Sequence, residues 1–282
     1  MTTAFTARPE HGLAWITGAS SGIGRAVALQ LVEEGYCVVV TARSHDKLVA
    51  LQHEATGPGK MIVLDGDVTH PHDMERVITA IEYEHGQVAL AILNAGVAIP
   101  VHGDDLHHDA FDRSFAVNLQ GVVNCLVPLV EHMKAKGQGQ IAIVSSVAGY
   151  GGLPMNAAYG ATKAALINMA ESLKFDLDQI GIRLQVICPG FVDTRGAVKG
   201  DFPRPALVSA ETAAARISQG LKSGRFEITF PKRFTYLVKL LKFLPYGVYF
   251  PVLRWLMPWR APRNTAPKHK ESRSKGRPRQ AV

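Results

Sequence analysis

The stretch Leu13-Ala14-Trp15-Ile16-Thr17-Gly18-Ala19-Ser20-Ser21-Gly22-Ile23-Gly24 passes from a continuous apolar run through a glycine-rich turn into a helical pattern. Leu13 to Thr17 shows no polar alternation, so both faces of that strand are expected to be buried, as inside a parallel sheet. Ile23, Val27 and Leu31 follow at helical spacing, and Gly35 supplies the stop. The glycines between let the backbone turn tightly and approach a pyrophosphate, whose charge is favoured by free N–H groups at the helix N-terminus. The spacing is G-x-x-x-G-x-G rather than the general G-x-G-x-x-G fingerprint. A glycine-rich corner alone is a weak signal; the strand before it and the helix after it give it weight.

Outward from that turn the same alternation continues. YCVVVT (36–41) reads as a second strand, after which Ser44 caps a helix through Leu51. KMIVL (60–64), VALAIL (88–93), QIAIVS (140–145) and IRLQVI (182–187) are further apolar strands. Helices are predicted over roughly 70–85, 109–136 and 157–180. A helix capped by Ser209 and the short strand FEITF (226–230) close the series. The expected fold is α/β, a Rossmann-like doubly wound parallel sheet of about seven strands with helices on both faces. It occupies residues 1–230. Residues 231–259, rich in aromatic, Leu and Pro residues with interspersed Lys and Arg, read as a helical extension. Residues 260–282 are a Pro/Ser/Lys/Arg-rich tail expected to be disordered.

The composition agrees with one large domain: 282 residues, 47% of them hydrophobic, can bury a sizeable core. The net charge of +7 is localised. Eight of the 31 Lys and Arg, and one of the 24 Asp and Glu, lie from Arg260 onward. The body is therefore neutral, and a folded nucleic-acid groove is not expected. Cys37, Cys125 and Cys188 are too few and scattered for a disulfide framework and lack zinc-site spacing. His70, His72, His102, His107 and His108 read as exposed loop residues, so no metal is expected. The N-terminus has no secretory pattern, which points to the cytoplasm. Ser145-Ser146 is not in a G-x-S-x-G elbow, which argues against a serine hydrolase.

The motif TGxxxGIG (17–24), Leu93-Asn94-Ala95-Gly96, Asn118, Ser145-Ser146, Tyr159-x-x-x-Lys163 and Pro189-Gly190 occur in this order. Together they resemble the short-chain dehydrogenase/reductase family over roughly residues 12–225. The resemblance implies a cofactor site at Gly18, Ser20, Ser21, Gly22, Ile23 and Gly24. It places Asp67 and Val68 beside the adenine and Asn94, Ala95 and Gly96 along the cofactor. Pro189, Gly190, Val192 and Thr194 would form the loop over the nicotinamide carboxamide. Ser146 matches the family's catalytic serine, with Ser145 in its place if the register slips by one. Asn118 matches the asparagine that holds a water linking Lys163 to solvent. The family's usual association, through helices corresponding to 109–136 and 157–180, implies a homodimer or homotetramer.

Residue chemistry points the same way. Tyr159 and Lys163, four apart on a helix, share one face. Reducing a ketone needs a proton on the developing alkoxide, and a phenol with an ordinary pKa of about 10 is a poor base near neutrality. A cation at about 4 Å contributes around 4 kcal/mol at an effective dielectric near 20, enough to lower Tyr159 by two or three units. Ser146 would donate a hydrogen bond to the oxygen. The second strand ends Thr41-Ala42-Arg43-Ser44, without the carboxylate that would accept from a ribose 2′-OH. Arg43 and Ser44 suit a 2′-phosphate, so the expected cofactor is NADP(H).

The extension, with Leu153, Pro154, Met155 and Phe191, favours an apolar ketone or secondary alcohol of fatty-acyl, retinoid, steroid or sphingoid type. Three roles for residues 232–259 stay open: a lid, a peripheral contact with the cytoplasmic face of a membrane, or a dimer contact. The longest uncharged run, Phe243 to Leu253, is too short to span a bilayer. The alternative function is a catalytically silent NADP(H)-binding sensor or scaffold. The retention of Asn118, Ser146, Tyr159 and Lys163 together argues for the enzyme.

Overall fold

The computed structural model describes residues 5–194 and 204–256. The basic tail, 260–282, lies outside the described residues, as does Trp259.

The strands are β1 (Leu13–Thr17), β2 (Cys37–Thr41), β3 (Lys60–Val63), β4 (Val88–Leu93), β5 (Gly139–Val144), β6 (Ile182–Pro189), the two-residue strands β7 (Val192–Asp193) and β8 (Val208–Ser209), and β9 (Glu227–Phe230). The helices are α1 (Gly22–Glu33), α2 (His45–Glu54), α3 (Pro71–Ala80), α4 (His108–Phe115), α5 (Gly121–Lys136), α6 (Ala157–Gln179), α7 (Ala210–Leu221), α8 (Lys232–Lys242) and α9 (Tyr246–Leu256). Seven strands form one parallel sheet in the order β3-β2-β1-β4-β5-β6-β9, while β7 and β8 pair only with each other. The continuous apolar strands are buried on both faces, as their lack of alternation requires. Ala14 and Ile16 point to one layer with Val27 and Leu31 of α1 and Ile217 of α7. Leu13 and Trp15 point to the other, with Met74 and Ile78 of α3, Leu126 and Leu129 of α5 and Leu166 of α6. Each of the larger aliphatic side chains among them contributes about 1.5–3 kcal/mol.

Two helices differ from the sequence reading. The expected helix over 70–85 becomes α3 followed by a wide π-helical turn at Ile81–His85. The one over 109–136 is α4 and α5 joined through a second π turn, Ala116–Gln120. Length and composition alone would let His108–Lys136 cross a membrane. Its apolar face, with Val122, Leu126, Leu129 and Met133, is instead buried in the core.

The site follows from the strand order. β1 pairs with β2 on one side and β4 on the other, through Ala14–Val38 and Ala14–Leu90. The chain thus winds away from β1 in both directions, and the loops leaving β1 and β4 part at their carboxyl ends. A crevice opens there.

The extension packs on this domain. The Phe234 ring of α8 meets Phe191 at 5.7 Å between centroids. Lys239 pairs with Glu227 of β9 at 2.5 Å, and Tyr150 donates to the same carboxylate at 2.6 Å. The Tyr249 hydroxyl of α9 donates to the Gly152 carbonyl at 3.0 Å.

Candidate active site

A cavity of about 860 Å³ occupies the crevice. Its glycine-rich end is shaped by backbone. Gly18 has φ +67°, and a Cβ there would stand 2.7 Å from the Ala95 Cα. Gly22 has φ +58°, and its Cβ would meet Thr194 at 3.2 Å. The Asn94 amide donates to the carbonyls of Thr17 at 3.0 Å and Gly18 at 3.3 Å, tying the loop after β4 to the loop after β1. No side chain caps the first turn of α1, so its leading N–H groups stay available to an anion. Gly18, Ser20, Ser21, Gly22 and Ile23 line the cavity. Gly24 does not: a Cβ there would lie 2.4 Å from the Asn94 amide nitrogen, so this glycine allows close packing behind the wall.

Farther along, Arg43, Ser44, Asp67 and Val68 line the same space. Arg43 is largely exposed and stands 3.9 Å from Asp67. Asp67 accepts from the backbone N–H and hydroxyl of Thr69. Its carboxyl lies below the ordinary range, because these bonds and the Arg43 charge outweigh the burial that opposes them. Lys47 also lines this end and was not singled out from the sequence. Its spacing of four from Arg43 was the available signal.

At the other end the wall is side chain. β5 delivers Ser145 and Ser146, and α6 delivers Tyr159 and Lys163. The Ser145 hydroxyl donates to the Lys163 carbonyl at 2.8 Å and so fastens α6 to the sheet. Ser146 lines the cavity beside Tyr159 and acts on its hydroxyl, whereas the Ser145 hydroxyl is turned to the Lys163 carbonyl. The Lys163 ammonium lies 5.5 Å from the Tyr159 ring centroid and donates to the Val144 carbonyl at 2.8 Å.

The titration of this group differs from the sequence expectation. Burial pushes the Tyr159 phenol up, and the Ser146 hydrogen bond is what draws it down. Burial holds Lys163 down at about 8. Burial, Ser146 and Cys188 set the shift of the phenol, and the lowering expected from the Lys163 ammonium is not among these influences.

Asn118 is fully buried in the π turn and does not line the cavity. Its Oδ1 accepts from the Val97 N–H at 2.7 Å, while its amide donates to the Val97 carbonyl at 2.9 Å and the Thr162 hydroxyl at 3.1 Å. Its side chain thus braces the strand end beside Lys163. Asn94, Ala95, Gly96, Pro189, Gly190, Val192 and Thr194 all line the cavity, as do Leu153, Pro154, Met155 and Phe191. Met155 is held at φ +60°, a costly conformation for a side-chain-bearing residue, and its carbonyl accepts from the Val101 N–H at 2.9 Å. Asn156 and Arg204 also line the wall, and sequence spacing gave no signal for either.

Residues 13–201 match the short chain dehydrogenase family. The chain belongs to that family. As a short-chain dehydrogenase it is an oxidoreductase that interconverts CH–OH and C=O groups. It is 33% identical to an uncharacterized oxidoreductase of Myxococcus xanthus, over 85% of this chain and 95% of that one. It is also 33% identical to a 3-oxoacyl-[acyl-carrier-protein] reductase of Thermotoga maritima, over 76% of this chain and 85% of that one. Among solved structures, an alcohol dehydrogenase from the archaeon Thermococcus sibiricus, complexed with 5-hydroxy-NADP, superposes with a TM-score of 0.70 at 25% identity. That likeness covers 78% of this chain and 95% of the other. The family match in this dehydrogenase ends before α8 and α9.

Proposed function

We propose that the chain is an NADP(H)-dependent oxidoreductase acting on an apolar ketone or secondary alcohol, with Tyr159 as the proton carrier. The observation that carries this reading is the meeting of Ser146, Tyr159 and Lys163 on one wall of a cavity whose other end is the glycine-rich turn of α1.

The glycine-rich end fits a dinucleotide. Gly18 and Gly22 let the turn after β1 close on Ala95 and Thr194 beside the uncapped N-terminus of α1, whose N–H groups suit a pyrophosphate. Arg43, Ser44 and Lys47 form a donor-rich pocket for a 2′-phosphate, and the end of β2 carries no carboxylate to select a free 2′-hydroxyl. Asp67 lies near enough to orient Arg43. A nicotinamide dinucleotide held there would supply or accept the hydride.

The chain's own residues then handle the oxygen. The Ser146 hydroxyl donates to the substrate oxygen, stabilising charge as it develops. Tyr159 gives that oxygen its proton in reduction and removes it in oxidation. With water excluded by cofactor and substrate, the Lys163 ammonium, 5.5 Å from the Tyr159 ring centroid, would offset part of the burial penalty on a phenolate. A Cβ on Gly96 would stand 3.4 Å from the Asn118 Oδ1 and 3.5 Å from the Lys163 ammonium. Leu153, Pro154, Met155 and Phe191 form the apolar side, and α8 closes on Phe191 from outside, which supports the lid reading of the extension.

The test is NADPH and NADH consumption by the full chain across ketones of rising chain length. Turnover should prefer NADPH and rise with length. Equal rates on short and long ketones would remove the apolar-substrate reading, and no consumption with any carbonyl would remove the enzyme.

A further inference from the structure

The outward side of α8 and α9 is apolar where a surface is ordinarily polar. Phe243 is 85% exposed, Trp255 80%, Tyr246 67% and Leu240 64%. Tyr236, Leu240 and Phe243 recur at i, i+4 and i+7 along α8 and its end, so they share one face. Tyr246 and Phe250 stack at 5.7 Å on α9. This face stands on a fixed platform, since Phe234, Lys239 and Tyr249 anchor the two helices to the domain.

Cations rim it. Lys232, Arg233, Lys242 and Arg254 are exposed and form no ion pair among the described residues. Between Glu227 and Glu271 the sequence has no Asp or Glu, and the basic tail continues the same sign. Large exposed apolar patches mark interaction surfaces. The charge selects the partner. A second copy meeting this face about a two-fold axis would set these cations against their own kind, whereas an anionic bilayer complements both features at once.

We infer that α8 and α9 form a docking face for an anionic membrane surface, with the aromatic and Leu side chains entering the interface and Lys232, Arg233, Lys242 and Arg254 resting at the headgroups. The surface is separate from the catalytic wall, so this inference stands or falls independently of the proposed reaction.

The experiment is co-sedimentation of the full chain with vesicles of phosphatidylcholine alone and of phosphatidylcholine mixed with phosphatidylserine. The variants are L240S/F243S/W255S, K232Q/R233Q/K242Q/R254Q, and a chain ending at Trp259. Partition should favour the anionic vesicles and fall as salt rises. The apolar variant should abolish it, and the charge variant should weaken it by about fivefold for each cation removed. Both should keep the parent's melting temperature and its turnover of a soluble ketone. The chain ending at Trp259 should still bind, more weakly. No partition of the full chain at low salt would overturn the inference. So would equal partition onto neutral vesicles, or binding that survives the apolar variant but is lost with the tail. A dimer in solution that the apolar variant converts to monomer, without vesicle binding, would assign the face to a second copy instead.

Discussion

At the glycine-rich end of the cavity the wall is backbone: turns at Gly18 and Gly22, unpaired N–H groups at the start of α1, and an exposed Arg43 as the charged contact. At the Tyr159 end the wall is buried side chain, with Lys163 only 3% exposed and its ammonium held by the Val144 carbonyl. In the proposed reaction the first end would hold the dinucleotide mainly by shape and backbone dipoles, and the second would act through proton positions that burial sets. Shape is maintained by the absence of side chains, and reactivity by their enclosure.

This contrast is sharpened most by Tyr159→Phe, which removes one hydroxyl. Turnover should fall by about 10²–10⁴-fold while NADPH binding, followed by fluorescence quenching, stays within a factor of a few. Joint loss of both would mean that the two ends are not separable. Arg43→Ala acts on the other end. The loss of a charge-assisted hydrogen bond of about 1.5–3 kcal/mol should raise the KM for NADPH by roughly ten- to a hundredfold and leave that for NADH nearly unchanged. An equal effect on both cofactors would remove Arg43 from 2′-phosphate recognition.

Gly18→Ala tests whether the turn depends on a missing Cβ. At φ +67° and 2.7 Å from the Ala95 Cα, the added methyl should destabilise the fold by about 1–3 kcal/mol and weaken cofactor binding in parallel. A normal melting temperature would count against the close-approach account. The smallest pH shift among these tests is expected at Ser146. Its hydroxyl draws the Tyr159 pKa down, so its removal should raise that pKa and move the alkaline rise of alcohol oxidation to higher pH. For a bond of about 1 kcal/mol, Ser146→Ala should shift that limb upward by roughly half to one unit, besides slowing turnover. A downward shift in the pH–rate profile would mean that Ser146 favours the neutral phenol.

How much of this was readable in advance depended on the range of the interaction. The apolar strands, the strand–turn–helix around Gly18 and the spacing of Tyr159 and Lys163 are each written within one element or one junction, and all appear where the sequence places them. The choice between Ser145 and Ser146 was not, because it rests on which hydroxyl reaches the Lys163 carbonyl of another element. The same holds for Asn118, whose amide is engaged by Val97, twenty-one residues away in the chain, and for Arg43, whose neighbour Asp67 arrives on the loop after β3.

The extension shows the division most clearly. Its composition alone allowed a lid, a membrane contact or a dimer contact. Only the folded chain shows Phe234 and Tyr249 turned onto the domain while Leu240, Phe243 and Trp255 face outward. Hydrophobic periodicity and glycine placement determined the sheet, its first crossover and the helix carrying Tyr159 and Lys163, because backbone hydrogen bonding and local sterics act over a few residues. Tertiary packing decided which hydroxyl is poised, which groups lose their water and which apolar face stays exposed, because desolvation depends on everything that surrounds a group and not on what precedes it in the chain.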